Sequence, residues 1–221
     1  MQVNGPDQVM GFRDEAVYHQ TIARMFRWDF MEVFSRVHPV VPALLFLPVV
    51  AWAGVLAWQS LGLWSAGVAL IGVLIWTFIE YVMHRFVFHI EPNGLVSRTI
   101  YVYLHGVHHH YPDDHYRLVM VPIVSIPLAF AFHALFGLLF PAAWVPAIYA
   151  GFVFGYLGYD YSHYFTHHGR GPKSALLQPI ARIMKIQRRR HMRHHFADHE
   201  RGFGVSTGLW DKVFRTVDLK S

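Results

Sequence analysis

The sequence predicts an all-α membrane protein: four transmembrane helices in two hairpins, with a helical, histidine-rich cap on the cytoplasmic face. Three observations predict it. The 221-residue chain is 54% hydrophobic and only 15% charged, against about 25% charged in ordinary soluble domains. The missing charge falls in two blocks, because no Asp, Glu, Lys or Arg occurs from Val37 to Ile79 or from Leu118 to Tyr159. Each block is long enough for two crossings, since a hydrocarbon core about 30 Å thick takes roughly 20 apolar residues per helix. Third, 17 histidines accompany no cysteine. That excludes disulfides, thiolate-ligated haem, iron–sulfur clusters and Cys-based zinc sites, and leaves any metal to nitrogen or oxygen ligands.

In chain order, residues 1–37 read as a cytoplasmic or interfacial segment without the apolar core of a cleaved signal peptide. Ile22, Phe26, Phe30, Val33, Phe34 and Val37 recur at helical spacing among Arg24, Arg27 and Arg36, which suits an amphipathic surface helix or an ordinary packed one. Residues 38–221 read as one membrane domain. Its first apolar block breaks around Gln59, Ser60 and Gly62, predicting spans over 40–58 and 61–80, with Trp58 and Trp64 beside the turn as an aromatic belt. The second breaks between Pro141 and Pro146, predicting spans over 118–139 and 143–160, with Trp144 in the equivalent place. From Lys173 to Arg190, Leu176, Leu177, Ile180, Ile183 and Met184 alternate with Arg182, Lys185, Arg188, Arg189 and Arg190. This pattern fits a further interfacial helix or a solvated basic face.

Of the 19 Lys and Arg, four precede the first span, three lie between residues 80 and 117, and twelve follow residue 160. By the positive-inside rule both termini and the middle segment face the cytoplasm. The net charge of +5 is accounted for by anionic lipid headgroups beside the spans, so no nucleic-acid partner is expected.

Ten histidines fall in four clusters: His84 and His89; His105, His108 and His109; His163 and His167; His191, His194 and His195. On this topology all four lie at cytoplasmic ends of spans. Spacings of three and four residues bring side chains together on one helical face, as a helix must to present several imidazoles to a metal. His84 and His89 are five apart, a rotation of about 140° on an ideal α-helix, so either the helix ends between them or each faces a different side. A single histidine near a membrane end is more often a hydrogen-bonded interfacial residue. Four such clusters on one membrane face make a polyhistidine metal site the leading reading. Ten ligands exceed the four to six of one ion, so two ions are implied, and imidazole spacing alone names no element. Glu80, Asp160, Asp113 and Asp198 adjoin the clusters and are candidates to orient the rings, although an N-cap or surface ion pair is the commoner role for such residues. His110, His115, His168 and His199 are candidates for a supporting layer. His133, alone in an apolar span, is expected to be hydrogen-bonded inside the bundle, and His19 and His38 to be structural.

With these motifs in place, the chain resembles the fatty acid hydroxylase or sterol desaturase superfamily of integral-membrane di-iron enzymes. Its histidine signature reads here as His84–His89, His105–His109, His163–His167 and His191–His195. The stretches EYVMHRFVFH, HGVHHHYPDDHYRLVMVP and RRHMRHHFADHERGFGVSTGLWDKVF look closest to the fatty acid 2-hydroxylase branch, and the resemblance spans roughly residues 75 to 217. His110 and His168 leave the ligand register open by one at two places. The resemblance implies two iron ions, with zinc able to occupy the same imidazoles after purification, and O2-dependent hydroxylation of a fatty acid or sphingolipid acyl chain. It also implies a lipid headgroup near the membrane surface, for which Arg188, Arg189 and Arg190 are candidates. Some members carry an N-terminal cytochrome domain with a His-Pro-Gly-Gly motif that residues 1–36 do not contain. A separate electron donor of cytochrome or ferredoxin type with its reductase is therefore expected, and the expected location is a bacterial inner membrane, or the endoplasmic reticulum in a eukaryote. Sterol desaturation, sterol methyl oxidation and carotenoid hydroxylation are sister activities. A metal transporter or sensor is the non-enzyme alternative, but transport sites usually lie near the bilayer midplane and these clusters lie at one face.

Overall fold

The computed structural model describes residues 25–26, 28–169 and 174–217. His19, Ile22, Arg24, Arg27 and Lys173 lie outside the described residues. Among the described residues every regular element is helical.

Phe30, Val33 and Phe34 do not continue a long amphipathic helix. Among the described residues one helical turn, α1 (Asp29–Glu32), precedes an irregular strap that leads to the first long helix. The strap is tied down by hydrogen bonds instead of by an apolar stripe. Glu32 accepts the Phe26 N–H at 2.8 Å, Tyr103 donates to the Phe34 carbonyl at 2.6 Å, and Val37 N–H reaches the Tyr116 carbonyl at 2.8 Å.

Two long helices follow, α2 (Val41–Leu61) and α3 (Trp64–Val82). The turn between them falls at Gly62, whose φ of 55° lies in the left-handed region that glycine reaches without steric cost. Trp58 and Trp64 are exposed on either side of that turn. After a short cap segment, α4 (Leu95–Tyr101) and α5 (Val107–His110), come α6 (Pro122–Leu139) and α7 (Val145–His168). The second hairpin thus turns where the proline pair predicts. Its second arm runs past residue 160, so one continuous helix carries both the expected fourth span and His163 and His167. The chain closes with α8 (Gln178–Phe196) and α9 (Leu209–Val213).

Among the described residues three helical stretches, Val41–Leu61, Trp64–Phe88 and Pro122–Leu139, are long and apolar enough to cross a membrane. Their outer faces expose Leu44, Trp52, Leu70, Leu74, Phe130 and Leu138. An outward apolar surface of this extent suits lipid contact and not water; this is a membrane protein. The fourth expected span, within α7, is different in kind. It packs against α2, α3, α6 and α8 and buries residues on every side, from Ala147 through Phe152 to Tyr159, so its composition answers to protein neighbours more than to lipid.

The α3–α7 contact sets the geometry of the bundle. A Cβ on Gly72 would stand 2.0 Å from the Ile148 carbonyl oxygen, and one on Gly151 would stand 1.9 Å from that of Ala69. Only glycine permits this approach, the usual device where membrane helices gain stability from close backbone packing. Around it Trp76 meets Phe152, Tyr156 and Tyr159 at ring-centroid distances of 5.2, 5.3 and 5.9 Å. His133 is not inside this core: it is exposed on α6, edge-on to Tyr149 at 4.7 Å.

Candidate metal centre

The five-residue spacing of His84 and His89 is resolved by local winding. After Val82 the helix widens into a π-helical turn over Met83–Phe88, and the His89 N–H bonds the His84 carbonyl at 3.2 Å, an i to i+5 bond. In a turn closed by five residues the two rings share one face, and such insertions occur mostly at functional sites. A second π-helical turn, Val102–Gly106, joins α4 to α5 through a Val107 N–H to Val102 carbonyl bond. It carries His105 just ahead of His108 and His109.

All ten clustered histidines converge, as two groups of five. His84, His89, His105, His109 and His194 form the first; His108, His163, His167, His191 and His195 form the second. Within each group one ring nitrogen per residue lies within 4.8 Å of the others. The assignment crosses between segments. In the segment formed by the second π-helical turn and α5, His105 and His109 face the first group while His108 faces the second; in α8 His191 and His195 face the second while His194 crosses to the first. The two imidazole pairs that remain, His84 with His89 and His163 with His167, each stay together.

Three of the ring orientations are fixed from behind. Nδ1 of His84 donates to the Phe203 carbonyl at 2.5 Å, Nδ1 of His163 to the Leu118 carbonyl at 2.9 Å, and Nδ1 of His194 to the Arg201 carbonyl at 2.8 Å. A carbonyl only accepts, so these rings hold their proton on Nδ1 and turn an Nε2 lone pair inward. There the Nε2 atoms crowd together. His84–His105, His105–His109 and His89–His194 stand at 3.0, 2.8 and 2.9 Å. In the second group His163–His108, His108–His195, His195–His191 and His191–His167 stand at 2.9, 3.0, 3.0 and 3.0 Å.

Hydrogen bonding among the rings cannot satisfy this chain of four contacts, because a neutral Nε2 carries either one proton or one lone pair. A cation at the centre of each group does satisfy it. Two nitrogens each about 2.1 Å from an ion and at right angles to one another are about 3 Å apart, the separation seen here. Burial and then the neighbouring imidazoles hold His105, His108, His109, His191 and His195 well below the usual imidazole range. Burial likewise lowers His194, to about 4 against the raising effect of the Arg201 carbonyl. Neutral rings are the form that binds metal, and the residues present fit a pair of ions.

A family model described as fatty acid hydroxylase matches residues 69–216, the stretch that carries all ten histidines. The chain belongs to the fatty acid hydroxylase family. Among similar proteins, the dihydroceramide fatty acyl 2-hydroxylases FAH1 and FAH2 of Arabidopsis thaliana are 35% and 38% identical, over 90% and 88% of this chain and 84% and 79% of their own. A solved structure described as full-length scs7p, with only the hydroxylase domain visible, superposes with a TM-score of 0.78 at 34% identity, covering 86% of this chain and 70% of that one.

In this fatty acid hydroxylase family member the four carboxylates expected to orient the rings touch no imidazole among the described residues. Glu80 is buried and accepts the Val205 and Ser206 N–H groups at 2.7 and 2.8 Å. It thereby anchors the loop whose Phe203 carbonyl receives His84. Asp160, one helical turn before His163, accepts the Met120 N–H at 3.3 Å. Asp198 takes the Glu200 N–H and pairs with Arg201, and Asp113 is exposed. His110 lies outside both groups, its Nδ1 on the Gly106 carbonyl at 2.9 Å. His168 stacks on His115 with centroids 3.6 Å apart, while His199 and His38 are exposed.

Sequence reasoning missed two carboxylates that support the family's histidine cage. Asp211 is 0% exposed; its oxygens accept the Phe203 and Gly204 N–H groups at 2.9 and 3.0 Å and the Thr216 hydroxyl at 2.8 Å. It also pairs with Arg190 at 3.1 Å, which ties the Phe203 loop to α8 immediately before His191. Asp114, and not its neighbour Asp113, is the buried member of the Asp-Asp pair. It pairs with Arg117 at 3.1 Å, and Arg117 also bonds Glu32, fixing the backbone that offers the Leu118 carbonyl to His163. Arg190 is thus committed to Asp211, whereas Arg188 and Arg189 are exposed, Arg188 reaching the Gly169 carbonyl at 3.2 Å.

Proposed function

We propose that this protein hydroxylates the acyl chain of a fatty acid or of a sphingolipid such as ceramide, beside the carbonyl carbon, with O2 as oxidant. The observation that carries the reading is the pair of five-imidazole groups with converging Nε2 atoms, in a chain that is over one-third identical to two dihydroceramide fatty acyl 2-hydroxylases across most of both lengths. We take the ions to be two irons held by His84, His89, His105, His109 and His194 and by His108, His163, His167, His191 and His195. Five imidazole nitrogens per group exceed the four ligands of a structural zinc site, a reason to favour iron. Bound iron supplies the O2 activation and C–H oxidation that no side chain can perform.

The chain's own residues ligate, orient and exclude. The carbonyls of Phe203, Leu118 and Arg201 hold three rings in their inward tautomer, and backbone partners of this kind raise ligand basicity. Residues 38–221 act as one membrane unit with four spans, 143–160 included, and the histidine cap and both termini on the cytoplasmic side of a bacterial inner membrane. Electrons come from a separate cytochrome- or ferredoxin-type donor with its reductase. The exposed Arg188 and Arg189 are placed to attract an anionic headgroup.

A C2-deuterated ceramide or fatty acid, supplied with O2 and a reducing system, tests this. Loss of deuterium with gain of one oxygen atom at C2 is the expected result. Oxygen inserted into a sterol or carotenoid instead, with acyl chains untouched, contradicts it and points to a sister activity.

A further inference from the structure

Between α2, α3, α6 and α7 lies a largely apolar cavity. Phe46, Trp76, Ala129, Phe132 and Phe152 line it. Its polar lining residues Glu80 and Ser125 lie on the helical turns nearer the histidines. A second cavity is lined by His105, His108 and His163. Phe88, Met120 and Tyr159 line both, so these three side chains form the wall between an apolar chamber inside the bundle and the histidine cage.

Resting on the acyl-hydroxylation reading above, we propose that the bundle cavity holds the acyl chain beyond the hydroxylated carbon, and that its aromatic floor limits the chain length accepted. Phe88, Met120 and Tyr159 then position the carbon that meets the cage. The helices themselves give the depth. Trp76 precedes His84 by eight residues and Phe152 precedes His163 by eleven, about 12 and 16 Å along the axes at roughly 1.5 Å per residue. Phe132 closes the far end against Phe152, with centroids 4.6 Å apart. An apolar chain entering this chamber from the bilayer exchanges lipid neighbours for aromatic faces, while a headgroup stays on the cap side, where Arg117 lines the histidine cavity.

Two variants and a binding probe test the assignment in the full-length protein. A fatty acid with a photoreactive diazirine at its chain end is expected to label peptides around Ala129–Phe132 and Phe152, and Ala129→Phe is expected to abolish that labelling while leaving metal content at the wild-type level. In product analysis Ala129→Phe shifts hydroxylated chains toward shorter lengths and Phe132→Ala toward longer ones. Each shift is expected to change the long-to-short ratio about tenfold or more, the range of a missing or added methylene in an apolar pocket. Labelling confined to the cap or the outer helix faces overturns the proposal, as does a metal-replete Ala129→Phe with an unchanged chain profile. Should Ala129→Phe fail to fold, the labelling pattern and the Phe132→Ala profile decide by themselves. Labelling in the cavity without any acyl hydroxylation by the wild-type protein would leave the chamber standing and reject the functional reading alone.

Discussion

His105 and His108 are three residues apart on one helical segment, yet they serve different groups: Nε2 of His105 lies 3.0 Å from His84, and Nε2 of His108 lies 2.9 Å from His163. The same crossing occurs in α8, where His194 reaches His89 while His191 and His195 stay with the other group. Each HxxHH segment therefore bridges the two candidate ion sites, and neither site can form without both segments.

This crossing predicts the effect of single ligand removal. His105→Ala and His108→Ala are each expected to abolish hydroxylation and to lower bound metal from two toward one per chain, each emptying a different site. Element analysis and a metal-sensitive spectrum of the two variants check it. Identical residual spectra, or two metals with full activity in either variant, contradict the crossed assignment.

Asp211 and Arg190 form a pair on which the Phe203 loop depends. Asp211→Ala leaves Arg190 unpaired beside a buried site and strips acceptors from two backbone N–H groups, a loss of about 3–5 kcal/mol by comparison with broken buried pairs. Arg190→Gln is expected to cost less, since the arginine is partly exposed, but to lower thermal stability and metal retention in the same direction. Arg188→Gln and Arg189→Gln are expected to leave both unchanged and to weaken binding to anionic lipid vesicles. Metal loss in Arg188→Gln would argue against the headgroup role.

Acid should dismantle the site. The buried rings are neutral in the folded chain, whereas unfolded imidazoles take up protons below about pH 6.5. Below that value the unfolded state binds more protons than the folded state, so stability falls as pH falls. For His194, held at about 4, the decline runs from about pH 6.5 to about pH 4. Protons compete with metal in the same direction. Metal per chain and unfolding temperature, followed from neutral pH downward, are expected to drop together, and metal content flat to about pH 4 contradicts this.

Gly72→Ala and Gly151→Ala would each drive a methyl group into a backbone carbonyl across the α3–α7 contact. A destabilisation of at least about 1–3 kcal/mol is expected from such overpacking. Gly137→Ala, whose Cβ would meet nothing within 4 Å, is the matched control on α6. Thermal unfolding in detergent distinguishes them, and equal stability of all three variants would refute the close packing.

The apolar blocks and the histidine clusters were legible because both are written as local periodicity. Span lengths and i, i+3 and i+4 spacings follow from helix geometry alone. What was not legible depends on contacts distant in sequence. The π-helical turn that aligns His84 with His89 obeys a winding that no residue type marks. Asp211 stands 127 positions from the His84 whose carbonyl partner it fixes, and Asp114 differs from Asp113 only in which one turns inward. The strap around Glu32 departs from the helix that its apolar spacing suggests because its backbone is claimed by hydrogen bonds to Tyr103, Tyr116 and its own Glu32. An ionisable residue in an apolar span suggests burial, yet His133 faces outward beside Tyr149.

The most direct test of the central claim is the iron content of the purified protein, measured together with the mass spectrum of the acyl chains it has processed with O2 and a reductant. Two irons per chain and acyl chains heavier by one oxygen beside the carbonyl carbon are the result this account predicts. A folded, pure protein that takes up no metal at neutral pH would contradict it, because ten converging Nε2 atoms would then have no cation to explain them.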